Sequence, residues 1–434
     1  CCNSICAAIP HSTGIRNLRS PGAGLGAGSR CRQRKRHERK RSPMKIKTLL
    51  SLLLAVSCGV IAWLVHIPAP GQADEVPEKY RDTVTKGLEY LVRHQHKDGH
   101  WEGDAGKHPV AMTGLVGLAL LMEKRPERNT RSEREETRPA KYLEPMRKAV
   151  DWLISKSPPD REGLIYADHA SERSRYMEGH GLATLFLAGM LREERDAERR
   201  KKLHDVLTRA VRYILKAQST QGGWYHTSKT EGHDFDAVLP TVIQIQALQA
   251  VDNVGIAVPA DALDLAQDYL KKTLAKAHAG NADLKLLDHA ATLVCFSQPG
   301  SPLYSEPPKG KLTDDVCKAS LTRCQNELPL KGELKLERHE LVHYYYAQTV
   351  YNLHEQWASY RKFVFDQVQT SQNKDGSWPG AEGFGAGPLY TTALWCTMLQ
   401  LDVRSHPSIP PVRAVIVTWR PERRPFCFLG PRSA

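Results

Sequence analysis

The chain has 434 residues, of which 61 are Lys or Arg and 48 are Asp or Glu, giving a net charge of +13 at pH 7. Residues 1–43 hold ten basic residues against one acidic, and residues 402–434 hold six against two, so the two ends carry the whole excess. The body between them is neutral and lacks the basic face that nucleic-acid binding requires, so we expect no nucleic-acid partner.

The first predicted element is a basic extension, residues 1–43, that is either disordered or precedes a true start at Met44. An apolar segment follows at residues 48–67, TLLSLLLAVSCGVIAWLVHI. Its length suffices to cross a bilayer and exceeds the apolar region of a cleaved signal, so a single transmembrane anchor is favoured over cleavage after Ala73. The apolar segment therefore predicts the membrane as a partner. Basic residues before the segment and acidic residues after it predict that the body lies outside the cytoplasm, in the periplasm or on the cell surface. If the segment is cleaved, the body is secreted.

Three segments of the body align without gaps: residues 86–101, 209–224 and 363–378. In each, a Gln precedes a Trp by six residues and a Gly precedes the same Trp by two. The nine residues of this structural repeat motif are Gln95, Gly99, Trp101, Gln218, Gly222, Trp224, Gln372, Gly376 and Trp378. Two degenerate copies of the repeat, around Trp152 and Tyr269, lie in the intervals between these three segments. Such an internal repeat indicates a helix–loop–helix unit stacked several times.

Each unit pairs two kinds of helix. The segment before the Gln has apolar residues at helical spacing with charges between them, which predicts an outer helix with one buried face. The segment after the Trp is apolar on nearly every face, which predicts an inner helix buried on all sides. The inner segments are 110–122, 181–191, 241–251, 290–296, 344–353 and 389–401. We therefore predict an all-α fold over residues 79–401, an α/α toroid of five to six helical hairpins.

The stretch from Gly87 to Trp101 resembles the Gln–Trp repeat of squalene-hopene cyclases, and the toroid is shared with protein prenyltransferases. The segments YMEGHGLATLFLAG, VIQIQALQAVDNVGIAVP and YYYAQTVYNL are similar to bacterial extracytoplasmic proteins with prenyltransferase and squalene-oxidase repeats. The resemblance implies the toroid fold over residues 79–401. It lends no activity, because one fold hosts many functions.

The resemblance to cyclases implies a catalytic acid in an Asp-x-Asp-Asp motif. Asp234 and Asp236 match the first and third positions of that motif, whereas the fourth position is Ala237. Asp234 and Asp236 are therefore the catalytic candidates, with an incomplete motif for protonating an alkene. The alternative is structural: Asp236 could cap the inner helix that begins near Val238.

Several polar residues fall just before, or at the start of, predicted inner helices and are our candidates for ligand binding. Convergent imidazoles with carboxylates or phenols are typical of acid–base or binding sites. The candidates are His108, His180, His233, His343, Tyr344 and Tyr390. No cysteine or histidine spacing resembles a zinc site, so we predict no metal and no cofactor. Cys317 and Cys324 are expected to be unpaired buried thiols, and residues 402–434 an irregular tail.

The sequence leaves three candidate functions. The main prediction is a membrane-anchored extracytoplasmic toroid that binds a lipid, isoprenoid or peptide. The first alternative is a divergent terpene cyclase acting on an isoprenoid. The second alternative is a carbohydrate-active lyase or hydrolase, because helical toroids also host such enzymes, and it predicts paired carboxylates beside aromatic rings. Whether the chain is an enzyme stays open at the level of sequence.

Overall fold

The structure, a computed structural model, describes residues 76–123, 141–298, 301, 304–305, 311–334, 336–354, 356–380 and 386–402. The predicted extension at 1–43, the apolar segment at 48–67 and the tail after Asp402 lie outside these residues. Among the helices that are described, none combines the length and the apolar character needed to span a bilayer.

Helices account for most of the described chain. In order they are α1 (Glu78–Arg93), α2 (Pro109–Leu121), α3 (Leu143–Ser155), α4 (Tyr176–Glu193), α5 (Ala197–Ala217), α6 (Val238–Asp252), α7 (Ala260–His278), α8 (Leu286–Phe296), α9 (Asp315–Glu327), α10 (Leu336–Leu353), α11 (Trp357–Thr370) and α12 (Gly387–Leu399).

The even-numbered helices form a closed inner ring. Each contacts the next, from α2 through α4, α6, α8 and α10 to α12, and α12 contacts α2 again. The odd-numbered helices surround this ring: α3 packs on α2 and α4, α5 on α4 and α6, and α7 on α6 and α8, while α1 packs on α12 and α2. The predicted all-α toroid is therefore confirmed, with six outer–inner hairpins among the described residues.

Composition explains which helices lie inside. Twelve of the 13 residues of α2 and of α12 are buried, because both carry apolar or small residues on every face. The outer helix α5 instead buries one stripe, with Leu203, Leu207, Ala210 and Ile214 facing inward and charged residues between them. A helix with one apolar stripe can be buried on that side alone, which places it in the outer layer.

A short antiparallel hairpin interrupts the helical pattern. Strands β1 (Tyr304–Ser305) and β2 (Lys311–Leu312) pair with Tyr304 opposite Leu312. The predicted all-α fold does not include this sheet. Two-residue strands are too short to produce a detectable alternation of apolar and polar residues, so sequence periodicity could not reveal them.

The three Gln–Gly–Trp turns make the same contacts. Each Trp ring nitrogen donates to a backbone oxygen ten residues earlier: Trp101 to Leu91 at 2.7 Å, Trp224 to Ile214 at 2.8 Å and Trp378 to Val368 at 2.7 Å. Each Trp backbone N–H donates to a threonine hydroxyl on the following inner helix: Thr113, Thr241 and Thr392. Each turn thus ties one outer helix to its inner partner.

The Gln residues tie neighbouring hairpins together. The side-chain amide of Gln95 donates to Gly99 O and to Pro145 O on α3, both at 2.8 Å. Gln218 reaches Ala262 O on α7 at 2.9 Å. Gln372 reaches Thr83 O on α1 at 2.9 Å, so the third turn joins the last outer helix to the first. These polar groups are satisfied inside the turn, which is how buried amides are normally found.

Candidate functional site

A cavity of about 190 Å³ lies at the end of the ring where the inner helices begin. Its lining comes from α2, α4, α6, α10 and α12 and from the loop that precedes α4. Apolar side chains make up part of the wall, including Met112, Leu115, Leu182, Ile243 and Leu394. The polar lining is concentrated in His108, Glu172, Arg175, Glu178 and three tyrosines, Tyr344, Tyr345 and Tyr390.

Glu178, in the first turn of α4, has one oxygen occupied and one free among the described residues. Its Oε1 accepts from Arg175 Nε at 3.2 Å and Nη2 at 3.1 Å, and lies 2.6 Å from His226 Nδ1. The second oxygen, Oε2, is buried and has no hydrogen-bond partner in the described part of the chain. A buried carboxylate oxygen without a partner is costly, so a ligand or water is expected to satisfy it.

The second Gln–Gly–Trp turn delivers the histidine that contacts Glu178. His226 follows Trp224 by two residues, and its backbone oxygen accepts from Met177 N at 3.1 Å. That contact fixes the loop against the start of α4. The repeat unit therefore positions a residue of the candidate site as well as holding helices together.

Glu172 lies in the loop before α4 and is almost wholly buried. Its Oε1 accepts from Val110 N at 2.7 Å, which satisfies a backbone donor at the start of α2, and its Oε2 accepts from Ala167 N at 3.2 Å. Burial disfavours the ionised carboxylate and outweighs these hydrogen bonds, which raises the pKa of Glu172 to about 7. Near neutral pH this carboxyl group can therefore hold a proton.

His108 has a left-handed backbone, with φ 54° and ψ 48°, immediately before α2. Such a conformation is unfavourable for a residue with a side chain and is found where surrounding contacts impose it. Here the backbone N–H of His108 donates to Ser171 Oγ at 2.8 Å, in the same loop as Glu172. Burial, and then the charge of Arg175, lowers the pKa of His108, which favours the neutral imidazole.

Three tyrosines contribute aromatic surface and hydroxyl groups to the cavity from helices other than the one that carries Glu178. Tyr344 and Tyr345 belong to α10 and Tyr390 to α12, and the rings of Tyr344 and Tyr345 meet edge to face at 5.0 Å. Burial raises the pKa of all three phenols, so they remain neutral donors. Glu340, one helical turn before Tyr344, is also buried, and burial raises its pKa to about 7.

Of the eight predicted site residues, His108, Tyr344 and Tyr390 line the cavity and lie together there. Asp234 and His233 are exposed in the loop after the second turn, and Asp234 accepts from Thr220 N of that turn at 2.8 Å and from Thr220 Oγ1 at 2.6 Å. Asp236 accepts from Ser219 Oγ at 2.5 Å in the same turn, and burial raises its pKa. The predicted cap by Asp236 is wrong: α6 begins after Ala237 and has no side-chain cap.

His180 and His343 lie on inner helices but face away from the cavity lining. His180 accepts from Ile165 N at 3.1 Å and packs against Tyr213 of α5, and burial lowers its pKa to about 4. His343 contacts the Tyr360 hydroxyl at 2.8 Å, and burial lowers its pKa to about 3. Both are neutral side chains packed between the two layers of helices.

Helical periodicity explains which residues sequence reasoning missed. On α4 the lining positions are Glu178, Gly179 and Leu182, so His180 points to another face of the same helix. In the sequence the histidine stands out because of its residue type, and nothing distinguishes the glutamate two positions earlier. Glu172, Arg175 and His226 had no sequence signal of their own, because they come from loops whose partners are distant in sequence.

No protein-family model matches the chain, and no curated protein matches it. Among solved structures, the chain is similar to the GH76A alpha-1,6-mannanase from Salegentibacter sp. HEL1_6. The two are 11% identical, with a TM-score of 0.48, over 74% of this chain and 98% of that chain. At this level of identity the likeness concerns the fold and says nothing about the substrate.

The predicted function requires correction. We expected a prenyltransferase- and squalene-oxidase-repeat protein that binds a lipid, isoprenoid or peptide, with a terpene cyclase as first alternative. The comparisons do not bear that prediction out, and the solved structure reported above is titled a mannanase, neither a cyclase nor a prenyltransferase. The cavity agrees with the correction, because its wall carries two carboxyl groups and a guanidinium rather than apolar and aromatic surface alone.

Proposed function

We propose that the chain is a carbohydrate-active enzyme that binds a sugar in the cavity at the start of the inner helices and cleaves a glycosidic bond there. The observation that carries the proposal is the pair of carboxyl groups, Glu172 and Glu178, in the lining of one cavity. Two carboxyl groups in different environments, one able to hold a proton at neutral pH, are what glycoside hydrolysis uses.

The roles follow from the contacts of each group. Glu172, with a pKa of about 7, is the proton donor to the glycosidic oxygen. Glu178 is fixed by Arg175 and His226 through Oε1, so its free Oε2 is the atom that meets the anomeric carbon or a water molecule. Protonation by Glu172 releases the leaving sugar, and water adds its hydroxyl to the anomeric carbon. The proton of that water returns to Glu172 if Glu178 is the nucleophile, or passes to Glu178 if Glu178 activates the water.

The rest of the lining suits an amphipathic sugar ring. Sugars present hydroxyls around the ring edge and C–H groups on the ring faces. Arg175 and His108 can bond hydroxyls, while Tyr344, Tyr345 and Tyr390 offer aromatic surface and neutral phenol donors. A purely apolar ligand would leave the buried Oε2 of Glu178 without a hydrogen-bond partner.

The test is hydrolysis of a panel of α- and β-linked oligosaccharides by the wild type, Glu178→Gln and a matched control, Glu198→Gln. Glu198 lies at the exposed start of α5, where its ion pair with Lys202 is solvated. We expect the Gln substitution at 178 to lower the rate by about 10³-fold, in line with loss of a positioned acid–base group, and the substitution at 198 to change nothing.

The configuration of the released sugar, read by NMR, reports whether Glu178 attacks the anomeric carbon or activates water. Unchanged cleavage by Glu178→Gln would overturn the assignment. If no sugar of the panel is cleaved and none raises the melting temperature of the wild type, the proposed function is wrong.

A further inference from the structure

We propose that the first Gln–Gly–Trp turn holds a divalent transition-metal ion, of the zinc class, through His96, His100 and Glu102. This site is separate from the cavity and does not depend on the proposed carbohydrate chemistry. The three residues each offer one ligand atom, and these atoms all lie within 4.8 Å of one another. It departs from our expectation from sequence that the chain has no metal site.

The distances fit a tetrahedral ion. His96 Nε2 lies 3.4 Å from Glu102 Oε1, and His100 Nε2 lies 3.3 Å from Glu102 Oε2. Ligands about 2.0–2.2 Å from zinc in a tetrahedron are separated by about 3.3–3.5 Å, so each histidine has the required separation from Glu102. Because the two distances end on different oxygens of Glu102, that carboxylate binds one ion through both oxygens or rotates to present one of them. Three protein ligands leave the fourth position open to water or another ligand.

A carboxylate behind one ligand orients it. His100 Nδ1 lies 2.6 Å from Asp98 Oδ1, so with a metal ion bound at Nε2 the imidazole proton would be held on Nδ1 by Asp98. This carboxylate–histidine arrangement is the usual support of a zinc-bound imidazole. The ring of His100 is also stacked between His96, at 4.3 Å, and Trp152, at 4.8 Å, which limits its rotation.

The other two turns provide an internal comparison. The same backbone bond closes all three: His96 N to His100 O, Ser219 N to Gly223 O and Asn373 N to Ser377 O, each at 2.9 Å. The third turn has Asn373, Ser377 and Pro379 where the first has the three ligands. The turn therefore folds without these side chains, and the two histidines and the glutamate are additions to it.

The comparison also supplies the variant. His96→Asn with His100→Ser introduces residues that the third turn already accommodates, where Asn373 Nδ2 donates to Ser377 Oγ at 3.0 Å. We expect this double variant to keep the wild-type circular dichroism spectrum and melting temperature without metal. The matched control is His204→Ser, which removes an exposed histidine of α5 outside the cluster.

The measurement is uptake of Zn²⁺ by the full chain, followed by competition with a chromophoric chelator. We expect the wild type and His204→Ser to bind one more zinc ion per chain than the double variant. Zinc should raise the melting temperature of these two proteins and leave that of the double variant unchanged. Asp98→Asn should weaken zinc binding about 10- to 100-fold without removing a ligand. Equal zinc stoichiometry and affinity in the wild type and the double variant would overturn the site, whatever the result with sugars.

Discussion

At the scale of single residues, burial determines which charged groups affect the stability and the activity of this chain most. Glu194, at the junction of α4 and α5, has a side chain that is 0% exposed. Arg147 of α3 donates to both of its oxygens, at 2.6 and 2.9 Å, and the backbone N–H groups of Arg195 and Asp196 donate to Oε1. One carboxylate thus joins three consecutive helices.

Stability should therefore depend on acid through Glu194. Burial alone would raise its pKa, but the bonds from Arg147 and the backbone outweigh burial and lower it from 4.5 to about 2. Because the folded pKa is below the unfolded one, the contribution is complete above about pH 4.5 and is lost as the pH falls toward 2. We expect Glu194→Gln to cost about 2–3 kcal/mol at pH 7 and almost nothing near pH 2, measured by urea unfolding. A constant difference across this range would contradict the assignment.

A second residue-scale prediction concerns the activity itself. With Glu172 as the proton donor, kcat/KM for a cleaved oligosaccharide should fall tenfold per pH unit above an apparent pKa of about 7, because only the protonated carboxyl group is active. A pH–rate profile of the wild type measures this limb. If the activity instead begins to fall near pH 4.5, the pKa of an ordinary glutamate, Glu172 is not the proton donor.

At the scale of the element, the glycine of each turn is required by both backbone and space. Gly222 has φ +99°, and a Cβ there would lie 2.6 Å from Leu265 O on α7. Gly376 repeats the arrangement, with φ +93° and 2.3 Å to Lys86 O on α1. The outer helices can therefore approach the turns only where no side chain intervenes.

Gly255 offers a matched comparison, because it has φ +86° and open space around its Cβ position. Gly255→Ala should cost about 1 kcal/mol, the penalty of the left-handed backbone alone, whereas Gly222→Ala should cost about 3 kcal/mol or more because a helix must also move. Denaturant unfolding of the two variants measures the difference. Equal losses would show that the contact with α7 is relaxed at no cost.

Much of the element layout could be predicted from the sequence. All six inner helices were predicted because a segment that is apolar all round can only be buried all round. The outer helix α9 carried no such signal, since its buried face consists of Cys317, Ser320 and Cys324 rather than large apolar residues. Both cysteines are unpaired and buried, as predicted. The site was predicted in part only, because the rotation of His180 and His343 about their helices follows from packing that the sequence does not state.

At the scale of the whole molecule, the ring closes where α1 meets α11 and α12. Lys79 and Tyr80 of α1 both bond Asp366 of α11 at 2.5 Å. Gly87 lies against α12, where a Cβ would be 2.4 Å from Cys396 Sγ. These contacts join residues about 290 to 310 positions apart, so the closure depends on long-range packing rather than on any local preference.

Replacing Gly87 tests the closure. Gly87→Ala improves helix propensity by about 1 kcal/mol, yet we expect a net loss of about 1–3 kcal/mol, because the added methyl group forces α1 away from α12. The control Asp82→Ala, on the exposed side of the same helix, should change stability by less than about 0.5 kcal/mol. Thermal unfolding of both variants measures these changes. A Gly87→Ala variant more stable than the wild type would mean that α1 and α12 can accommodate a methyl group at their contact.

A ring closed by noncovalent contacts has no helix that must come first. The third Gln–Gly–Trp turn bridges Gln372 to Thr83 of α1 much as the first bridges Gln95 to Pro145 of α3, although in one case the partner lies far away in the chain and in the other it lies nearby. Neighbouring hairpins therefore make the same contact whether or not they follow each other in the sequence. A circular permutant that starts at α7 and links the end of α12 to α1 with a flexible peptide should assemble the same twelve helices.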